Sequence, residues 1–258
     1  MKIFLIGALV GVSGLAIAQQ KTEWSSVAAK TYTVHYTQED KAILTSITAN
    51  ISEGKKAIET FFGHAFIKPV NVFVFPHRDQ LDAQWQKDWG APDFKSECWM
   101  VASGVAHRLD LLSPNVWGKE ACEHNLSDVQ AVQQLVVHEM VHVFHGQHNP
   151  VPDFTGLDDL AWLIEGVATY ASGQLDETRL ASVRKLIQDG KSPISLAKFW
   201  SGKDKYGLAG SLVKFVDQRV GREELFTLLR ETKQDAVLKR LNLTEAQLID
   251  EWKAFVMK

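Results

Sequence analysis

A chain of 258 residues, 45% of them hydrophobic and 23% charged, has the composition of a globular protein with a real core. Its formal net charge of −3, with no basic run, argues against nucleic acid or an anionic membrane surface as the main partner. Neither an internal repeat nor a low-complexity linker divides it.

The N-terminus reads as an export signal. Lys2 supplies the positive charge, Ile3 to Ile17 form an apolar stretch with small residues, and Ala16-Ile17-Ala18 offers a cleavage site before Gln19. The stretch is too short and too rich in Gly for a membrane span, and no second run of spanning length follows. Residues 1–18 are therefore expected to be removed. The mature chain is expected in the periplasm or outside the cell, without stable membrane insertion. In that compartment Cys98 and Cys122 are suited to a disulfide, with two buried thiols as the alternative.

Residues 19–126 read as a small mixed α/β lobe. Strands are predicted over 31–36 and 70–75, and a helix over 39–62 stopping at Gly63. A helix over 78–89 follows, then one or two strands within 99–112, broken near Gly104. Trp85, Trp89, Trp99 and Trp117 gather in this part, to fill the core or line a cleft. Residues 127–258 read as a helical lobe. Ser127-Asp128-Val129-Gln130 fits a capping box for a helix running to about His145, with Gly146 as its stop. Further helices are predicted over 158–171, 177–188, 203–220, 223–232 and 244–256. The fold class is α+β, with the helix from Ser127 at the junction, where a cleft is expected.

The chemistry lies in that helix. In His138-Glu139-Met140-Val141-His142 the two histidines are four residues apart, on one helical face, and can grip a single ion. Imidazole nitrogen suits zinc. Glu139 is turned about 100° away, beside the ion, where it can take a proton from water. A catalytic zinc needs a third protein ligand and an open position. His148 has metzincin spacing, but that pattern needs Gly at position 145, where His stands. It also needs a later Met-turn, and the last methionine is Met257 at the terminus. Glu165 is the better candidate, because an acid within the apolar run Trp162-Leu163-Ile164-Glu165-Gly166-Val167-Ala168 is costly unless it meets a charge. Gly166 implies a close helix approach there. Thr169, one turn on, is a candidate to orient a ligand histidine. His145 reads as a cation favoured by the helix C-terminus.

His138-Glu139-x-x-His142, with Glu165 downstream in a W-L-x-E-G-x-A-x-Y setting, resembles the gluzincin metallopeptidases, and most of all the peptidase MA-like group related to thermolysin and the zinc aminopeptidases. The resemblance implies a zincin-like fold with an antiparallel edge strand above the motif helix, which binds an extended substrate by strand addition. Residues 105–112 are the expected edge. It also implies a zinc cofactor held by His138, His142 and Glu165, with Glu139 as general base. Related enzymes stabilise the oxyanion with a Tyr or His of the helical lobe. Tyr206 stands in the corresponding region, and Tyr170 is the alternative. The amine-capturing motif of the aminopeptidases has no convincing copy ahead of His138. The expected function is an exported zinc metallopeptidase acting on a peptide or protein. The alternatives are a non-catalytic zincin-like binding protein and a zinc hydrolase of a non-protein amide.

Overall fold

The computed structural model describes residues 22–258, so the expected signal peptide lies outside the described residues. Strand β1 (Ser25–Ala28) precedes β2 (Tyr32–Tyr36), and a short 3-10 segment (Gln38–Ile43) leads into helix α1 (Leu44–Phe62). Then come β3 (Val70–Phe75), α2 (Arg78–Asp88), β4 (Ala102–Val105), β5 (Arg108–Leu112) and the single turn α3 (Trp117–Glu120). The rest is helical: α4 (Val129–His148), α5 (Ala161–Ala171), α6 (Glu177–Gln188), α7 (Lys205–Val220), α8 (Arg222–Leu228), α9 (Gln234–Leu241) and α10 (Glu245–Val256).

The five strands form one mixed sheet in the order β1-β2-β3-β5-β4. β2, β3 and β5 are parallel, as their helical connections require, and β1 and β4 are antiparallel at the two edges. Register brings Val34, Val72 and Leu109 side by side, each almost fully buried. β5 is covered on both faces, with Leu109, Asp110, Leu111 and Leu112 all buried. It lies between β3 and β4, so the edge strand is Ala102–Val105 rather than residues 105–112. The chain reverses at Ala106-His107, and Gly104 lies inside β4 rather than breaking it.

Helix α1 buries Ile47, Ile51, Gly54 and Ile58, residues at helical spacing, and packs this face on α4. It ends as expected at Gly63, whose φ of 71° suits a residue without a Cβ. Helix α4 begins one residue later than its capping box implied. The cap is Asp128, whose carboxylate accepts from the Ala131 N–H at 3.0 Å. The helix also runs through Gly146 to His148. A Cβ at 146 would stand 2.6 Å from the Pro152 carbonyl and 2.8 Å from the Ala106 nitrogen, so this glycine serves close packing instead of termination. Helix α5 lies against both α4 and α7. A continuous apolar cluster runs from Val34 in the sheet to Val256 in α10 and joins the sheet to the helical part. Sequence reading missed β1 and α9, both short. No helix among the described residues is long and apolar enough to cross a membrane.

Candidate metal centre

Helix α4 places His138 and His142 one turn apart, with their Nε2 atoms 3.2 Å from each other. Helix α5 brings the Glu165 Oε2 to 3.4 Å from the first nitrogen and 3.5 Å from the second. Two nitrogens each about 2.0–2.1 Å from a tetrahedral zinc stand about 3.3 Å apart, so the three atoms have the separations that one zinc would set. They form the one group of three or more such side chains with metal-binding proximity among the described residues. Both histidines are buried, while the Glu165 side chain keeps about a quarter of its surface (26%), which leaves the cluster open on that side.

Electrostatics hold the trio together. Burial opposes charge on His142, but Glu165 and then Glu139 outweigh it and raise its pKa. Burial also opposes the Glu165 carboxylate, and His142 and His138 overcome it, holding the carboxyl well below the usual range. Glu139 is buried beside the trio without belonging to it. The Tyr206 ring centroid stands 6.1 Å from that of His138. Its hydroxyl is pushed above its ordinary pKa by burial, then by Glu165 and Glu139, so it stays protonated and able to donate.

Two glycines set these distances. A Cβ on Gly166 would come 2.5 Å from the Ala209 carbonyl, so glycine lets α7 pack directly behind the Glu165 turn. A Cβ on Gly104 would come 2.1 Å from the Glu139 carbonyl and 3.2 Å from the His142 Cβ, so glycine lets the edge strand β4 lie on α4. Gly104 is the site residue that sequence reading missed, although an isolated glycine within a strand pattern is a signal of close backbone approach.

Other candidates fall away. Tyr170 donates to Asp217 at 2.9 Å, and Asp217 is paired with Arg222; burial and Asp217 push the Tyr170 hydroxyl up to about 12. Thr169 is fully buried, and among the described residues its hydroxyl has no hydrogen-bond partner, so it does not orient a ligand histidine. His148 faces the Ala65 carbonyl at 3.2 Å instead of the trio. His145 is not the helix-end cation expected of it. Burial, then the neighbouring His142, lower its pKa to about 3, so it is neutral, and it packs on Phe154 at 5.0 Å between ring centroids. The pair Cys98–Cys122 is a disulfide, tying the approach to β4 to the segment leading into α4.

No protein-family model matches this sequence, and no curated protein matches it. Among solved structures the fold is similar to that of an M1 zinc metallopeptidase from Deinococcus radiodurans, with a TM-score of 0.51 and 14% identity. That match covers 91% of this chain and 51% of the other. A point variant of the same enzyme matches at the same score and identity, over 91% of this chain and 52% of its own. The chain thus spans about half the length of these structures. At this identity the likeness is one of fold, and what it shows is a mixed α/β, zinc-metallopeptidase-like fold carrying a His138–His142–Glu165 cluster compatible with zinc.

Proposed function

We propose that this chain is an exported, zinc-dependent metallopeptidase of the gluzincin kind. The observation that carries the reading is the convergence of His138, His142 and Glu165 at zinc-like separations, with Glu139 beside them and β4 directly above. His138, His142 and Glu165 would hold the zinc, and when bound it would supply Lewis-acid chemistry toward a carbonyl and a water. The Glu139 carboxylate takes the proton from the attacking water and passes it to the leaving nitrogen. The protonated Tyr206 hydroxyl donates to the oxygen on which negative charge develops.

Among the described residues β4 is an edge of the sheet, so its outer main-chain groups suit an extended peptide whose scissile bond lies along α4. Residues 101–106 of that edge include no acid to capture a substrate's free amine, which favours an activity other than amino-terminal trimming. The disulfide accords with export. Purified protein should hydrolyse members of a mixed peptide library, lose the activity to a zinc chelator, and regain it with added zinc. A zinc-loaded, folded protein that leaves every peptide intact would contradict the proposal.

A further inference from the structure

Beside the metal centre lies a cation that the hydrolytic chemistry does not use. The Lys205 Nζ sits 4.6 Å from the Trp200 ring centroid, 4.8 Å from that of Trp99 and 5.3 Å from that of Tyr206. Trp200 and Tyr206 meet edge to face at 4.9 Å, so the three rings form a box around the ammonium. Ring faces attract a cation and fix its position, yet leave its N–H groups without acceptors. Among the described residues no carboxylate lies within 4.0 Å of this nitrogen and no oxygen accepts from it. The other cation near Tyr206, Arg179, is already engaged: it lies 3.6 Å from Asp176 and donates to the Gln174 carbonyl at 2.8 Å.

Position makes this ammonium relevant to substrate. The path from the His138 ring through Tyr206 to Nζ takes steps of 6.1 Å and 5.3 Å, a span of about three to four residues of extended chain. Trp99 stands just ahead of Ala102, where β4 begins, on a segment held by the Cys98–Cys122 disulfide and by the Trp99 carbonyl's 2.8 Å contact with His124. A strand added antiparallel to β4 runs with its C-terminus toward that end. The fixed positive charge repels a substrate cation and suits an anion.

We infer that Lys205, held by Trp99, Trp200 and Tyr206, is the docking point for the C-terminal carboxylate of a short peptide lying along β4. The inference rests on the peptidase reading and narrows it to removal of one or a few residues from a free C-terminus. Lys205 is then a specificity residue.

The test uses zinc-loaded Glu139→Gln protein, so that binding is read without turnover. N-acetyl-trialanine is titrated as the free acid and as the C-terminal amide, following tryptophan fluorescence and calorimetry. The acid should bind about tenfold more tightly than the amide, in keeping with one charge-assisted contact. Adding Lys205→Met, which keeps the stem against the rings, should bring the ratio close to one, and Lys205→Arg should restore it. Equal binding of acid and amide, no binding of either, or a ratio unchanged by Lys205→Met would overturn the inference. A chain that hydrolyses no peptide but keeps the Lys205-dependent acid preference would contradict the peptidase reading and leave the docking site standing.

Discussion

Glu139→Gln should keep its zinc and lose peptide hydrolysis by about 10²–10⁴-fold, the span a positioned general base contributes. The substitution keeps size and shape and removes the carboxylate's negative charge, and with it the ability to accept a proton. Because Glu139 stands outside the His138–His142–Glu165 trio, metal retention should be unchanged. Zinc content and kcat/KM are measured on the same preparation, which separates loss of chemistry from loss of metal. Retained hydrolysis with full zinc would remove Glu139 from the mechanism. Loss of both would make it a structural support of the centre.

Gly104→Ala should destabilise the fold and loosen the centre together. The new methyl carbon would stand 2.1 Å from the Glu139 carbonyl oxygen and 3.0 Å from its carbon, and both belong to the main chain of a buried helix. Neither atom can swing aside, so β4 must lift from α4, or α4 must shift and carry Glu139 and His142 with it. Overpacking of this kind costs about 1–3 kcal/mol and occasionally more, and a backbone clash this close belongs at the upper end. For a domain this size that is a fall in Tm of roughly 6–12 °C, with weaker zinc retention. Gly118→Ala is the control, since a Cβ there meets nothing within 4 Å. If both variants melt with the wild type, the close seating of β4 on α4 is wrong.

The clustering of His138, His142 and Glu165 was legible because its signal is local. His138 and His142 share a helical face by spacing alone, and Glu165 betrays itself as an acid in an apolar run. The boundaries of β3 and α6 were equally plain, between Pro69 and Pro76 in one case and in the periodic run after Asp176 in the other. What failed depends on neighbours distant in sequence. Nothing local says which of β4 and β5 is the edge, although four successive buried residues from Leu109 to Leu112 fit a strand covered on both faces. Gly146 looks like a helix stop until Pro152 and Ala106 are seen against it, and His145 looks like a helix-end cation until its burial is known. The box around Lys205 draws on Trp99, Trp200 and Tyr206, residues that sequence order scatters and only the fold assembles.

The most direct measurement is zinc content by elemental mass spectrometry, on dialysed wild-type protein and Glu165→Ala side by side. The geometry of the three donor atoms predicts close to one zinc per wild-type chain and weak or absent retention in the variant. Wild-type protein that stays zinc-free after reconstitution, or a variant that holds zinc as tightly as wild type, would contradict the three-residue centre.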